Sequence, residues 1–158
     1  MKTHELRNLQ ALRQLREQRA ATQLLVEQRQ CQERERELAL AKQRLHRHRE
    51  QLAREAQQAY AALADGLSVT QWHVAQSQLQ GLSDEQAQLQ TAADAMTRQR
   101  DQQLQRREDC RVQHLARQRQ CDAWDSVVEH RQRGELRAAE HREDADEGVQ
   151  TPSAAGAN

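Results

Sequence analysis

The fold of this chain is decided by a short stretch near its middle, Ala64-Asp65-Gly66-Leu67-Ser68. Glycine and proline are the residues that most strongly interrupt helices. Residues 1–133 contain no proline and only two glycines, Gly66 and Gly81. The sequence therefore predicts two long helices with a bend near Gly66. A second break at Gly81 is a weaker alternative, because the heptad pattern runs through that position.

The composition favours long helices over a globular core. Ala, Glu, Lys, Leu and Arg make up 81 of the 158 residues, a share typical of coiled coils. Phe and Ile are absent, and Leu and Val together number 25. Low apolar content can also indicate disorder, but disorder usually accompanies a high net charge. Here 24 basic and 24 acidic residues cancel, and the leucines keep a helical spacing, so we expect an ordered chain.

These observations predict an all-α fold in which two long helices form an antiparallel coiled-coil hairpin. We expect the hairpin to occupy residues 1–143, with a first arm at about 3–64, a bend at 65–68 and a second arm at about 69–142. The remaining residues, 144–158, are acidic and then small and polar, a composition that indicates a disordered tail.

The first arm carries half of a heptad seam. Its apolar series is Leu24, Cys31, Leu38, Leu45, Leu52 and Ala59. The positions four residues further on are Gln28, Glu35, Lys42, Arg49, Ala56 and Leu63. Because most of this second series is polar, we expect a seam that is weak in the middle of the arm and firmer near the bend. Near the start, Leu6, Leu9, Leu12 and Leu15 recur every three residues and predict an apolar stripe.

The second arm begins with Ser68-Val69-Thr70-Gln71, a capping box that satisfies backbone N–H groups at a helix start. Its first seam series is Trp72, Leu79, Gln86, Ala93, Arg100, Arg107, His114, Cys121 and Val128. Its second is Ala75, Leu82, Leu89, Met96, Gln103, Cys110, Arg117, Trp124 and Arg131. The pattern predicts good packing from Trp72 to Met96 and a strongly polar seam at residues 100–119.

Motifs for chemistry are lacking in the sequence. Cys110, His114 and Cys121 can share a helix face, but their spacing is not that of a known metal site, and His46 and His48 are expected to be solvated. There is no phosphate loop or nucleophile motif. We therefore expect no enzyme activity, no cofactor and no metal. The arginine-rich segment 44–49 lacks aromatic residues for base stacking, so we expect no nucleic-acid partner.

Aromatic residues flank the bend. Tyr60 precedes it and Trp72 follows it, so the two lie at similar height in a hairpin. They either cap the seam between the helices or belong to a contact surface, since Trp72, Gln76, Leu79 and Ser83 follow a helical spacing along one face. Tryptophan is enriched at binding hot spots.

The segment Trp72-His73-Val74-Ala75-Gln76-Ser77-Gln78-Leu79-Gln80-Gly81-Leu82 carries a family resemblance. Together with the Leu-, Arg- and Gln-rich first arm, Tyr60, the charged second arm and the acidic tail, it resembles the YscO/FliJ family of type III secretion stalk proteins. The virulence branch, with YscO and PscO, is the more similar one. The resemblance covers about residues 4–145, and its moderately specific part is the W-x-x-x-Q-x-x-L pattern.

The resemblance implies a stalk or escort protein that couples the hexameric secretion ATPase to the cytosolic domain of the export gate and binds export chaperones. It implies an ATPase side formed by Leu6, Leu9, Leu12, Val127 and Val128. It implies a gate side formed by Trp72, Gln76 and Leu79.

A coiled-coil scaffold or dimerisation module of another cytoplasmic complex is the alternative. The stalk is expected to be a monomer, whereas the alternative is a dimer. No apolar run reaches the length of a membrane span, and the polar start of the chain lacks the apolar segment of a secretory signal. We therefore expect a cytoplasmic protein without a membrane span.

Overall fold

A computed structural model describes residues 3–149 of the chain. Two α-helices account for nearly all of them: α1, Thr3–Ala64, has 62 residues, and α2, Val69–Val149, has 81. The part of the chain that the structure describes contains no strand. The all-helical class and the two long helices are therefore confirmed, and residues 65–68, where the bend was predicted, lie between the helices.

The turn between the helices is built from backbone hydrogen bonds and one glycine. The Asp65 N–H donates to the Ala61 carbonyl at 3.2 Å, and the Gly66 N–H donates to the Leu63 carbonyl at 3.2 Å. Gly66 has a φ of 99°, a conformation that side-chain-bearing residues rarely adopt. The chain leaves α1 here because glycine accepts this geometry without steric cost.

The capping box at the start of α2 is present. The Gln71 N–H donates to Ser68 Oγ at 3.2 Å, and the Ser68 N–H donates to Gln71 Oε1 at 3.2 Å. These reciprocal bonds satisfy two backbone donors that have no partner within the helix. They fix the first turn of α2 directly after Gly66.

α2 differs from the predicted second arm in two ways. It runs through Gly81 without interruption, so the alternative of a second break there is wrong. It also continues to Val149, beyond the predicted end at about residue 142 and into the segment predicted to be a disordered tail. Residues 143–147 contain Glu, Asp and Ala with no proline, so nothing in them forces a helix to stop. The rest of the predicted tail, 150–158, lies outside the described residues.

Contacts along the helices divide the chain into two compact units. We call Leu24–Cys110 the turn unit, and the described residues 3–23 together with 111–149 the end unit. Both α1 and α2 contribute a segment to each unit. The two units are described separately below.

Within the turn unit, α1 packs on α2 through a small apolar core. Ala41, Leu45 and Ala93 are buried together, and Leu89 and Met96 pack against them. The predicted α1 series Leu24 to Ala59 is buried or half-buried at every position. The predicted good packing of α2 from Trp72 to Met96 falls here, and its seam positions are also buried or half-buried.

The second seam series of α1 differs from the prediction. Lys42 and Arg49, four residues after members of the apolar series, are exposed, whereas Ala41 and His48, three residues after, are buried. A heptad alternates steps of three and four residues between its seam positions. The residues three after Leu24, Leu38 and Leu45, which are Glu27, Ala41 and His48, are thus the buried ones, whereas nearer the bend Ala56, four after Leu52, is half-buried.

The stripe of leucines near the start of α1 is also corrected. Leu6 is buried, but Leu12 and Leu15 are each 43% exposed. A step of three residues advances about 300° around a helix, so each successive leucine shifts by about 60°. Over three steps the shift reaches half a turn, which places Leu15 on the opposite side of α1 from Leu6.

Candidate functional site

Exposed apolar side chains surround the turn between the helices. Tyr60, Leu63, Val69 and Val74 are exposed, with Tyr60 61% accessible, and we call these four residues together with Trp72 the turn surface. The rings of Tyr60 and Trp72 pack in a tilted arrangement with centroids 5.9 Å apart. Trp72 is half-buried. It therefore packs beside Tyr60 and remains partly accessible, and its role in binding a partner stays a prediction.

The predicted gate-side residues do not share one environment. Leu79 is half-buried and lines a hollow of about 210 Å³ together with Ala59 of α1. Gln76 is exposed and does not line this hollow, but lines a shallow surface depression together with His73. In α2, Trp72 and Leu79 thus belong to the packed side, and Gln76 belongs to the accessible side. Val69 and Val74 were not singled out from the sequence, because they do not belong to a seam series.

The predicted ATPase-side residues lie in the end unit and also divide by exposure. Leu6 and Val128 are buried, Leu9 is half-buried, and Leu12 and Val127 are exposed. We call Leu12 and Val127 the end surface. A substitution at Leu6 or Val128 perturbs packing, whereas one at the end surface changes a side chain that other proteins can reach.

Polar groups connect the two helices within the end unit. Hydrogen bonds cross from α1 to α2 between Thr3 Oγ1 and Glu135 Oε1 at 2.6 Å, between Gln10 Nε2 and Asp125 Oδ1 at 2.6 Å, and between His114 Nε2 and Glu17 Oε1 at 2.8 Å. The Arg13 guanidinium carbon lies 4.7 Å from the centre of a Trp124 ring, a cation–π distance. Of these α2 residues, only His114 lies in the stretch predicted to be polar, residues 100–119, and none of the pairings was predicted.

The hydrogen bond from Thr3 has an electrostatic consequence. It stabilises the ionised form of Glu135 and, with a smaller contribution from Arg131, lowers the pKa of that carboxyl. The negative charge of Glu135 is therefore retained at a lower pH than that of an ordinary glutamate.

Polar seam residues of the turn unit are satisfied by specific partners. Gln103 Nε2 donates a hydrogen bond to the Glu27 carboxylate. The Cys31 thiol donates to the Gln103 carbonyl oxygen at 3.4 Å. His48 Nε2 lies 2.8 Å from the Leu82 carbonyl oxygen, so this nitrogen carries the proton. The expectation that His48 is solvated is wrong, since it is buried, whereas His46 is exposed and lies beside Glu50.

The three cysteine thiols are not activated. Burial raises the pKa of Cys31, Cys110 and Cys121, and nearby carboxylates such as Glu27 and Glu17 raise it further. A raised pKa leaves little thiolate, the form that reacts and binds metals. Among residues 3–149 no group of three or more His, Cys, Asp or Glu side chains is placed to hold a metal ion. Neither described helix contains a stretch long and apolar enough to cross a membrane.

Comparisons of the chain with known protein families, with curated proteins and with solved structures give no match.

Proposed function

We propose that this chain is a non-enzymatic stalk or escort protein of a type III secretion system. In this role it couples the hexameric secretion ATPase to the cytosolic domain of the export gate, and it binds export chaperones in the cytoplasm. The observation that carries the proposal is a pair of helices of 62 and 81 residues with only a short turn between them. The choice of this system rests on the resemblance to the YscO/FliJ family.

The proposal includes an antiparallel coiled coil within each unit. In the turn unit, Glu27, His48 and Tyr60 contact Gln103, Leu82 and Trp72. In the end unit, Thr3, Gln10 and Glu17 contact Glu135, Asp125 and His114. The α2 numbers fall as the α1 numbers rise, which supports opposite helix directions. The heptad spacing of the buried residues supports coiled-coil packing.

The absence of enzyme activity is proposed on the state of the polar groups. The Nε2 atoms of His48 and His114 are engaged by the Leu82 carbonyl and by Glu17 of the facing helix, which supports a structural role for both histidines in pairing the helices. The raised pKa of the three thiols argues against a cysteine nucleophile.

Binding to the ATPase can be tested on the end surface without disturbing the packing. Leu12→Glu and Val127→Glu place a charge on exposed positions, and Leu40→Glu is the matched control because Leu40 is 53% exposed in the turn unit. We expect the first two variants to bind a purified type III secretion ATPase hexamer at least about tenfold more weakly, since interface anchors often contribute that much. Equal affinity of all three variants and the unsubstituted chain contradicts the proposed ATPase side.

Binding to the export gate is tested in the same way at Gln76. The change Gln76→Glu keeps the size of an exposed side chain and adds a charge, and Gln28→Glu does the same on an exposed position of α1. We expect Gln76→Glu alone to weaken binding to the purified cytosolic domain of the gate. A gate domain that binds neither the chain nor its variants removes the basis for this role.

The oligomeric state distinguishes the proposed stalk, which is a monomer, from a dimerisation module. Light scattering on the purified chain should give a mass near 18.3 kDa for a monomer. A doubled mass, with Trp72 fluorescence protected from an aqueous quencher, favours the scaffold alternative.

A further inference from the structure

The interactions that pair α1 with α2 inside the end unit differ from those that pair them inside the turn unit. In the end unit, described cross-helix hydrogen bonds end on the carboxylates of Glu135, Asp125 and Glu17. Water competes for hydrogen bonds at exposed carboxylates, so such bonds contribute less net stability than the same bonds in a buried setting. These carboxylates are exposed or half-buried, so water can reach them without a large rearrangement.

The apolar contribution follows the same division. Buried apolar residues of the described part of the end unit are Leu6, Cys121 and Val128. The turn unit buries Cys31, Leu38, Ala41, Leu45 and Ala93. Leu89 and Met96 pack against the cluster formed by Ala41, Leu45 and Ala93. Apolar burial is the dominant favourable contribution to helix pairing, so the turn unit is the more firmly held of the two.

We propose that the end unit opens as a local, reversible unit: residues 3–23 of α1 separate from residues 111–135 of α2 while the turn unit stays paired. Both segments belong to helices that continue into the turn unit, so separation requires at least one helix to bend where the units meet along the chain, while its backbone hydrogen bonds can persist. Opening exposes Leu6, Cys121 and Val128 and makes their helix faces available to a partner helix. This inference is independent of the proposed secretion role.

The chain carries its own reporters of opening. Cys121 is buried in the end unit and Cys31 in the turn unit, and burial raises the pKa of both thiols. A buried thiol reacts with an aromatic disulfide reagent mainly from an opened state. Each reaction rate therefore measures how often the unit that contains the thiol opens.

The experiment uses two full-length variants, each with one cysteine. Cys31→Ala with Cys110→Ala retains Cys121, and Cys110→Ala with Cys121→Ala retains Cys31. Each rate is divided by the rate of the same variant unfolded in urea. We expect Cys121 to react at least about tenfold faster than Cys31 after this correction. Equal corrected rates, or a faster Cys31, show that the end unit does not open on its own and overturn the proposal.

A change in the end-unit seam separates opening from simple access of the reagent to Cys121. Replacing Glu17 and His114 together by leucine exchanges a polar pair for an apolar one. We expect this double substitution to lower the reaction rate of Cys121 about tenfold and to leave the reaction rate of Cys31 unchanged. The matched change Leu45→Ala removes buried apolar surface from the turn unit and should accelerate Cys31 alone. A Cys121 rate that does not respond to the leucine pair overturns the proposal.

If the leucine pair at Glu17 and His114 prevents folding, as far-ultraviolet circular dichroism would show, the pair Gln10→Leu with Asp125→Leu replaces it. These two side chains form another cross-helix hydrogen bond of the end unit. The same expected and contradicting outcomes apply.

Discussion

Two single substitutions to glutamate at adjacent positions of α1 test which of the two positions packs against α2. Ala41 is 9% exposed and packs with Leu45 and Ala93, whereas its neighbour Lys42 is exposed. We expect Ala41→Glu to lower the free energy of unfolding of the turn unit by about 3–5 kcal/mol, because the charge is buried without a partner. Lys42→Glu adds the same side chain, and we expect a change within about 0.5 kcal/mol.

The assay follows the turn unit specifically. Trp72 belongs to the turn unit and Trp124 to the end unit, so Trp72 fluorescence in a Trp124→Phe background reports urea unfolding of the turn unit. Both substitutions add glutamate to the same helix, so differences in helix propensity are small beside the expected effect. If Lys42→Glu destabilises the turn unit as much as Ala41→Glu or more, the seam passes through Lys42 and the correction is refuted.

Three further predictions concern the turn and the end unit. Gly66→Ala should lower the free energy of unfolding by about 1 kcal/mol, because Gly66 has a positive φ. Gly81→Ala, inside α2, should raise the free energy of unfolding by about 0.5–1 kcal/mol. An added Cβ meets no atom within 4 Å at either site, so equal effects of the two substitutions in urea unfolding contradict this reasoning. Ser68→Ala should cost about 1 kcal/mol in the same assay through loss of the capping box, and a neutral result contradicts the cap. Thr3→Val should raise the lowered pKa of Glu135 toward its ordinary value, measured by NMR titration of the carboxyl carbon. Because that pKa is lowered in the folded chain, the Thr3 contact stabilises above the ordinary carboxyl pKa and is lost as pH falls through the lowered value.

The turn was predictable because its signals are local. Gly66 supplies the required backbone conformation, and Ser68 and Gln71 supply a cap whose spacing is visible in the sequence. The α2 seam was predictable for a related reason. Trp72, Leu79 and Ala93 stand at heptad spacing and are apolar, so the period itself indicates the packed side.

The α1 seam was not predictable in full, because some of its buried positions carry polar side chains. Glu27 and His48 look like solvent-facing residues in a sequence, and the partners that allow their burial lie on α2. Hydropathy patterns contain no information on which distant amide or carbonyl will satisfy a polar group. The same reason explains why the pairing of Glu17 with His114 was not predicted.

Placement of the candidate interaction residues was predictable only in part. The contact between Tyr60 and Trp72 follows from their positions around the bend. The exposure of Leu12 was not predicted, because leucines repeated every three residues resemble an apolar stripe in the sequence. Each step of three shifts the side chain around the helix, so the leucines do not share one face. The split between Leu79 and Gln76 depends on which side of α2 faces α1, a property of the pair of helices.

The polar seam positions also explain how a chain with few apolar residues selects one alignment of its helices. Leucines at heptad spacing pack almost equally well after a slide of seven residues, so they specify the alignment weakly. A slide separates the Gln103 side chain from Glu27, whereas His48 bonds a backbone carbonyl, a group that every alignment offers. Each buried polar group left unpaired costs about 1–3 kcal/mol. The pair of Glu27 and Gln103 therefore makes shifted alignments unfavourable, and it adds to the alignment that the short turn at residues 65–68 already sets for Tyr60 and Trp72.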